Sequence, residues 1–452
     1  MGDEKKVFVI GIDGAPPEYV LVEWLDDLPN IKKVLNSGAY ARLNSTIPPL
    51  SAVAWASLST GKTPSDLGLF EYVYRKNNSY TDLGVISSKN VEEKTFWQIA
   101  SEYGKKSIVC LVPLTWPIKP FNGICVSGFM TPSTTRNFTY PEEIGKEVDE
   151  LFGSKFRILS EFRKPEKEEI IERAYENTSM HFELMKHLIK NKEWDLFFGV
   201  IAESDSMNHN FLKYVDIGHR EYDPSSKFRN SLKEYYSFVD GKIGELIALL
   251  YKDTKIIILS DHGIKRMHNR VNLSDWLIKE GYLVLNEKVD ERKKLDMNMI
   301  NWEKTIAWAI CAFEGQIFIN LEGREPKGIV KQEELEKLLN EMEIKLKKIT
   351  GDRYETLDTK IFMKKRDFSG KRDDKAPDML IYFDNLQYGC NCSLVGNKTL
   401  WSPQTAIGSD DAGHSEQGIF IIKNGVQKGN IEEVDILEVS PIILKELGIE
   451  EQ

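Results

Sequence analysis

Short, almost wholly apolar runs that alternate with helical patterns constrain the fold of this 452-residue chain most strongly. Apolar runs of four to eight residues bounded by turns are typical of strands that are buried on both faces. Alternation of such strands with helices predicts a mostly parallel central sheet with helices on both faces, an α/β fold. The runs are VFVIGID (7–13), SIVCLV (107–112), GICVSGF (123–129), WDLFFGVIAE (194–203) and IIILSD (256–261), and helical patterns lie at 94–104, 166–192 and 228–251.

The pattern changes beyond about residue 280, where shorter strand-like runs and one charged helix are joined by long polar connections. Closer to the C-terminus, an apolar run and a helical pattern resemble the first part of the chain again. These segments are GQIFIN (315–320), a helix near 331–348, DMLIYF (378–383), GIFIIK (418–423) and the helical VDILEVSPIILKELG (434–448). The change predicts a core at 1–279, a smaller α+β insertion at 280–400 and a return to the core at 401–452.

Charge and composition exclude several classes of function. A net charge of −10 argues against a nucleic-acid surface, which needs a basic patch. No apolar run approaches the roughly 20 residues that span a bilayer, and the charged start before a short apolar run is unlike a signal peptide. The five cysteines have no zinc-finger spacing, and Cys390 and Cys392, separated by one asparagine, are too close for an ordinary disulfide with each other, so we expect this pair to be incidental. We therefore expect a cytoplasmic protein with reduced cysteines and no membrane partner, of undetermined oligomeric state.

The stretch IIILSDHGIK (256–265) places Asp261 and His262 directly after a strand. Ser-Asp in such a position often only caps the next helix or forms a turn. The alternative is a ligand site, because ligands of open α/β sheets bind at the carboxyl ends of the strands. Three further segments place Asp or His beside predicted strands, and their candidate residues are Asp13, Asp205, His209 and His414.

These six side chains form a set with metal-binding chemistry. The spacing of Asp205 and His209 predicts that both lie on one helix face or within one tight turn. Six mixed carboxylate and imidazole ligands suit two borderline cations better than one. We expect two divalent ions, with Zn²⁺ preferred and Mn²⁺ as the alternative, because an all-oxygen Mg²⁺ or Ca²⁺ cage does not need imidazoles. The interpretation as ordinary turn residues stays open.

The segment STIPPLSAVAWASLSTGKTPSDLG (45–68) contains a second candidate, Ser51, at the start of a helical pattern. On local sequence alone, an N-cap is the better interpretation of this serine. A hydroxyl at a helix N-terminus is also well placed to attack phosphorus, because the free backbone N–H groups there favour anions. Such a hydroxyl is a weak nucleophile until a base or a metal lowers its pKa.

Taken in order, these segments resemble the alkaline phosphatase superfamily and, within it, the type I phosphodiesterase/nucleotide pyrophosphatase family, especially its archaeal and bacterial members. Each motif alone is weak evidence for the family, but the whole set in this order is specific to it. The resemblance extends over most of the chain. The matching stretches are VIGIDGAPP, IPPLSAVAWASLSTGKTPSDLG, ESDSMNHNF, LSDHG, AGHSEQGIF and VDILEVSPIILKELGI.

The resemblance implies a two-metal hydrolase of phosphate esters, most directly a phosphodiesterase or nucleotide pyrophosphatase. Its substrate would be a small-molecule phosphate ester or a nucleotide, and Ser51 would form a covalent phosphoseryl intermediate. The implied metal sites are Asp205, His209 and His414 in one, and Asp13, Asp261 and His262 in the other, with the Ser51 oxygen as a further ligand.

The chain also departs from the family pattern. Nucleotide pyrophosphatases usually have Thr at the position of Ser51, whereas phosphatases and cofactor-independent phosphoglycerate mutases have Ser. Val53 stands where proline is common, and Leu67 replaces a frequent His that is not a ligand. A phosphomonoesterase or phosphomutase with the same metals and serine is therefore the alternative enzyme. The alternative that is not an enzyme is a metal-binding scaffold. Such a scaffold is expected to have lost a metal ligand or the nucleophile, and this chain has lost neither.

Overall fold

A computed structural model describes residues 5–132, 137–159, 166–311, 313–396, 399–402, 412–423 and 429–450. Its strands are β1 (Val7–Ile12), β2 (Gly38–Asn44), β3 (Val73–Arg75), β4 (Leu83–Val85), β5 (Ser107–Val112), β6 (Gly123–Ser127), β7 (Thr139–Tyr140), β8 (Leu196–Ile201), β9 (Lys255–Leu259), β10 (Gly263–Arg266), β11 (Asn269–Asn272), β12 (Ala307–Cys311), β13 (Gly315–Ile319), β14 (Lys360–Met363), β15 (Met379–Tyr382), β16 (Tyr388–Asn391), β17 (Trp401–Ser402), β18 (Ala412–Ser415), β19 (Gln417–Lys423) and β20 (Gly429–Asp435).

The helices connect these strands, together with several short 3₁₀ turns and a π-helical segment at Glu18–Glu23. They are α1 (Pro29–Asn36), α2 (Ser51–Thr60), α3 (Pro64–Leu67), α4 (Phe96–Glu102), α5 (Glu143–Phe152), α6 (Lys167–Asn191), α7 (Glu203–Val215), α8 (Ser231–Ile247), α9 (Leu273–Lys279), α10 (Leu335–Leu346), α11 (Lys364–Asp367) and α12 (Val439–Glu446).

The central sheet has nine strands in the order β20-β2-β19-β9-β1-β8-β5-β6-β7. The five consecutive strands β9, β1, β8, β5 and β6 run parallel to one another. Strand β19 is antiparallel to both of its neighbours, and β7 is antiparallel to β6. The predicted α/β fold with a mostly parallel sheet is therefore confirmed.

Strand β1 shows why the apolar runs are nearly continuous. Phe8, Ile10 and Ile12 belong to one hydrophobic core with side chains of α1, α6, α7 and α8. Val7 and Val9 belong to a second core with side chains of α2, α4 and α12. Because successive residues of a strand face opposite sides, both faces of β1 are buried and neither can be polar.

The region beyond α9 contains a four-stranded antiparallel sheet in the order β12-β13-β15-β14. This sheet shares a separate hydrophobic core with α10. The same core includes Val271 and Leu273, which precede the predicted start of the insertion. The division of the chain at 280 and 401 stays a prediction.

Three features differ from or add to the sequence-based expectations. The C-terminal helical pattern begins later than expected, because Val434 and Asp435 still pair with β2 in strand β20. Cys311 forms a disulfide with Cys392, 81 residues away, so the expectation that Cys392 is incidental and reduced is wrong. Within the described chain, no helix is long and apolar enough to cross a membrane.

Candidate metal centre

Three neighbouring parallel strands, β9, β1 and β8, bring four of the predicted residues to one edge of the sheet. Asp13 directly follows β1, and Asp261 and His262 follow β9 after a single serine. Asp205 lies in the first turn of α7, and only Ala202 separates this helix from the end of β8. The carboxyl ends of parallel strands meet at one edge, so residues almost 250 positions apart in the chain become neighbours.

The two remaining histidines come from other elements. His209 is on α7, one turn after Asp205, so the predicted arrangement on one helix is observed. His414 lies within β18, which pairs with β10, so that Ile264 is opposite His414. Because β10 begins at the residue after His262, this pairing brings His414 to the end of β9.

The six side chains form two groups in which the ligand atoms of each lie within 4.8 Å of one another. We call Asp13, Asp261 and His262 the Asp13 cluster, and Asp205, His209 and His414 the Asp205 cluster. The clusters are adjacent, because the rings of His262 and His414 are stacked with centroids 3.8 Å apart. The grouping is the one that the family resemblance implies.

Ser51 lies beside the Asp13 cluster. Its Oγ donates to Asp13 Oδ1 at 3.2 Å and lies 3.1 Å from His262 Nε2. The N-cap interpretation is wrong, because the N-cap position of α2 is Leu50 and no side chain caps this helix. The serine hydroxyl is directed at the clusters instead of at the backbone of its own helix.

Backbone carbonyls fix the orientation of all three imidazoles. The Nδ1 atoms of His209, His262 and His414 lie 2.9, 2.9 and 2.6 Å from the carbonyl oxygens of Ala412, Gly263 and Pro49. Each carbonyl accepts a hydrogen bond from Nδ1–H, so a neutral ring presents the lone pair of Nε2 to the site. The Nε2 atoms of His209 and His414 are only 3.1 Å apart, an arrangement that a shared cation would stabilise.

Two carboxylate oxygens in the centre also favour a cation. Asp205 Oδ1 and Asp261 Oδ2 are buried and have no hydrogen-bond partner among the described residues. Burial, and then the charge of Asp205, raises the pKa of Asp13, while burial and then the charge of Asp13 raise the pKa of Asp261. Burial also lowers the pKa of His262 and His414, which favours the neutral form of these two imidazoles that can bind a metal. The donors present therefore fit bound divalent ions.

Three further residues shape the centre and were not predicted from the sequence. Trp55 donates from Nε1 to Asp13 Oδ2 at 2.9 Å, and Phe313 stacks on His209 with ring centroids 5.0 Å apart. Gly14 has φ +68°, and a Cβ atom there would lie 2.8 Å from Asp205 Oδ1. Trp55 follows Ser51 by four residues on one helix face, a spacing that could have suggested its role. Phe313 has no comparable signal.

The chain belongs to the type I phosphodiesterase/nucleotide pyrophosphatase family, whose sequence model matches residues 7–390. This is a family of phosphoester hydrolases, and the match covers most of the chain. Among curated protein sequences, none matches.

Solved structures show the same alkaline phosphatase-like fold at low sequence identity. Phosphonoacetate hydrolase from Sinorhizobium meliloti 1021, in complex with phosphonoformate, has a TM-score of 0.63 at 14% identity, over 98% of this chain and 96% of that one. Murine ectonucleotide pyrophosphatase/phosphodiesterase 5, as an inactive variant in complex with AMP, has a TM-score of 0.56 at 14% identity, over 99% and 96%. The human form of the latter has a TM-score of 0.57 at 13% identity, over the same shares of the two chains.

Proposed function

We propose that this protein hydrolyses phosphodiesters through a covalent intermediate on Ser51. The observation that carries the proposal is the position of Ser51 Oγ, 3.2 Å from Asp13 Oδ1 and 3.1 Å from His262 Nε2, at the first residue of α2. A buried hydroxyl that is directed at a carboxylate and an imidazole, and not used as a helix cap, is placed for nucleophilic catalysis. The free N–H groups of the first helical turn favour an anion at the same point.

Two divalent ions, Zn²⁺ by preference and Mn²⁺ as the alternative, would be held by the Asp13 and Asp205 clusters. When bound, they would supply the positive charge that lowers the pKa of Ser51 and offsets the charge developing on the phosphate oxygens. The three imidazoles are held in a fixed tautomer by backbone carbonyls, so their Nε2 lone pairs need no reorientation to bind the ions.

The reaction proceeds in two displacements. Asp13 and His262 orient Ser51 Oγ, which attacks phosphorus as its proton is released to the solvent. The bond from phosphorus to the leaving oxygen breaks, and the leaving alkoxide departs as an alcohol after it takes a proton from water. Water then attacks the phosphoserine diester, cleaves its bond to Ser51, and restores the serine hydroxyl with release of a phosphomonoester.

We propose a diester over a monoester as the substrate, and the charges around the centre bear on this choice. Within the described chain, the largest charge effects on Asp13, Asp205 and Asp261 come from one another and from the histidines, and none comes from a lysine or arginine. A phosphodiester has one negative charge at neutral pH, whereas a monoester approaches two. Because none of these largest effects comes from a lysine or arginine, the positive charge that meets the phosphate would come from the two ions, and we propose the singly charged diester as the substrate.

For the substrate we propose a small phosphodiester that contains a nucleotide. The family to which the chain belongs supports this class, and the murine structural neighbour binds AMP.

For the location we propose the cytoplasm, as the sequence predicts. The Cys311–Cys392 disulfide weighs against that location, because disulfides are rare in a reducing compartment. Cell fractionation tests the location: the cytoplasmic proposal fails if the protein is recovered outside the cytosolic fraction.

Hydrolysis of two chromogenic esters tests the proposed function. Protein reconstituted with zinc or manganese should hydrolyse bis-p-nitrophenyl phosphate with a higher kcat/KM than p-nitrophenyl phosphate. Acid quenching during turnover of the diester should trap a p-nitrophenyl phosphate adduct on Ser51, visible by peptide mass spectrometry. Hydrolysis of neither ester by the metal-loaded protein would contradict the proposed function. A preference for the monoester would support the alternative, a phosphomonoesterase.

A further inference from the structure

Phe313 contacts both histidines of the Asp205 cluster. Its ring is stacked on that of His209, with 13° between the ring planes and centroids 5.0 Å apart. It also packs on the ring of His414, with centroids 4.5 Å apart. Both separations are typical of favourable aromatic contacts. One apolar side chain therefore touches two of the three residues that would hold one ion.

Phe313 belongs to the predicted insertion and not to the sheet edge that carries most of the ligands. It lies between β12 and β13, which pair with each other in the four-stranded antiparallel sheet. His209, in contrast, is on α7, and His414 is in β18. The contact thus joins the smaller sheet to the metal centre.

Two attachments to β16 and its following residue hold the backbone around Phe313. The Phe313 carbonyl oxygen accepts a hydrogen bond from the backbone N–H of Cys390 at 2.9 Å. Cys311, two residues before Phe313, forms the disulfide with Cys392, two residues after Cys390. A cross-link of this kind reduces the conformational freedom that a loop must lose when a ligand binds.

The ring of Phe313 is held as well. The guanidinium carbon of Arg270, a residue only 3% exposed, lies over this ring at 5.8 Å from its centroid, within the range of a cation–π attraction. Arg270 Nη1 also donates to the carbonyl oxygen of Cys390 at 3.4 Å. The ring packs further against a hydrophobic cluster that includes Leu50 and Val53. Phe313 is therefore fixed by backbone, cross-link and side-chain contacts together.

A fixed apolar ring favours ion binding at the two histidines in two ways. Imidazoles that are held in place beforehand lose less conformational freedom when an ion binds. An apolar cover also restricts the access of water, which strengthens the attraction between an ion and its ligands. Backbone carbonyls already hold the Nδ1 atoms of His209 and His414, and Phe313 adds contact with the rings themselves.

We propose that Phe313 is a positioning residue for His209 and His414, that the Cys311–Cys392 disulfide keeps it in place, and that both strengthen ion binding at the Asp205 cluster alone. Trp55 has the corresponding part for the Asp13 cluster, through its hydrogen bond to Asp13. The inference rests on the proposed function for the two ions, but not for the reaction that they support.

Zinc affinity in two backgrounds tests the inference. Asp261→Asn should leave only the ion of the Asp205 cluster, and His414→Ala only that of the Asp13 cluster. Phe313→Leu keeps an apolar side chain but removes the flat ring. It should weaken zinc binding about 10-fold in the first background, the lower end of the range for residues that support a ligand, and not in the second. Phe313→Tyr keeps the ring and should restore the affinity.

Isothermal titration measures the affinities, and circular dichroism confirms that each variant is folded. Phe318→Leu is the matched control, because Phe318 lies in β13 and stacks on Trp308 with ring centroids 5.6 Å apart. It should leave zinc binding unchanged in both backgrounds. Unchanged affinity of Phe313→Leu in the Asp261→Asn background, or an equal loss in both backgrounds, would overturn the inference.

The disulfide is tested in the same Asp261→Asn background, with protein purified without reductant. Cys311→Ser combined with Cys392→Ser should weaken zinc binding about 3- to 10-fold, less than Phe313→Leu does, because the ring is still present. Cys390→Ala is the control, because it leaves the disulfide intact. Unchanged affinity of the double serine variant would overturn the part assigned to the disulfide.

Failure of the proposed function is distinguishable from failure of this inference. A wild-type protein that binds two zinc ions but hydrolyses neither chromogenic ester would overturn the proposed function and leave the inference standing. A wild-type protein that binds no zinc at the Asp205 cluster would overturn both.

Discussion

The Asp13 cluster and the Asp205 cluster have similar ligands but are built differently. The Asp13 cluster comes from the ends of two adjacent parallel strands, and its three side chains are at most 3% exposed. The Asp205 cluster comes from a helix and from the two-stranded sheet β10-β18, and the Asp205 side chain is 16% exposed. One cluster is thus part of the rigid sheet edge, and the other forms the side that solvent reaches.

This difference indicates a division of roles. Ser51 belongs to the buried side, since it contacts Asp13 and His262, so the proposed nucleophile is held beside the less exposed cluster. We expect substrate, water and leaving group to reach the centre from the Asp205 side, because Asp205 is the most exposed of the six ligands. We expect the two clusters to respond differently to substitution, chelation and pH, and the following predictions test that difference.

The largest expected effect is on the nucleophile. Ser51→Ala should reduce turnover of a phosphodiester at least about a thousandfold, because the covalent intermediate cannot form. It should still bind two ions and melt within about 2–4 °C of wild type, since Ser51 caps no helix. Steady-state kinetics and calorimetry measure both quantities.

Ser57→Ala is the matched control on the same helix, because the buried Ser57 hydroxyl has no partner within the described residues. It should retain wild-type turnover. A Ser51→Ala protein that keeps more than about a tenth of wild-type turnover would favour direct attack by water over the covalent route.

Trp55→Phe should weaken the Asp13 cluster selectively. The substitution removes the N–H that donates to Asp13 Oδ2, and loss of such a supporting hydrogen bond typically costs about 10- to 100-fold in metal affinity. Isothermal titration with zinc should show one weakened site and one unchanged site. Trp97→Phe is the control, because Trp97 also packs on Phe198 but donates no hydrogen bond to Asp13 within the described chain. Equal weakening of both sites would contradict the separation of the clusters.

Chelation should remove the two ions in two phases. The ion of the Asp205 cluster should leave first, because Asp205 is partly exposed whereas the side chains of Asp261 and His262 are wholly buried. Zinc release into EDTA, followed with a zinc-sensitive dye, measures the phases. His414→Ala should abolish the fast phase and leave the slow one. A single phase for both ions in wild type would show that the difference in exposure has no kinetic consequence.

The smallest expected effect concerns a buried carboxyl pair outside both clusters. Burial, and then the charge of Glu314, raises the pKa of Glu71 to about 8, and burial raises that of Glu314 to about 7, from an ordinary 4.5. Between pH 4.5 and 8 the folded chain therefore binds more protons than the unfolded chain, so stability falls as pH rises. Glu71→Gln should melt above wild type at pH 8.5 and close to it at pH 5.

The control for this substitution is Glu333→Gln at an exposed position. It should follow wild type at both pH values in differential scanning calorimetry. The account of the pair is wrong if Glu71→Gln shows no gain at pH 8.5 over pH 5.

The strand-end residues could be predicted from sequence because the apolar runs define both the strands and their ends. Asp13, Asp261 and His262 follow such runs directly, and a parallel sheet must bring those ends together. His414 was predicted from its place just before a strand-like run, but its position at the centre depends on the pairing of β18 with β10. For Ser51, local sequence favoured a cap, and contacts with Asp13 and His262 override that preference.

The unpredicted features all depend on contacts between distant segments. Phe313 reaches His209 from across the chain, and Cys311 reaches Cys392 over 81 residues. Local patterns predict strands, helices and their ends, but they do not specify which loops fold back over the sheet edge.

The most direct test of the central claim is the number of ions bound by wild type and by one variant of each cluster. Metal-free protein is titrated with zinc, and the bound ions are counted by native mass spectrometry for wild type, His414→Ala and Asp261→Asn. Two adjacent clusters predict two ions in wild type and one in each variant, with circular dichroism unchanged. At most one ion in wild type, or loss of both ions in either folded variant, would contradict the account.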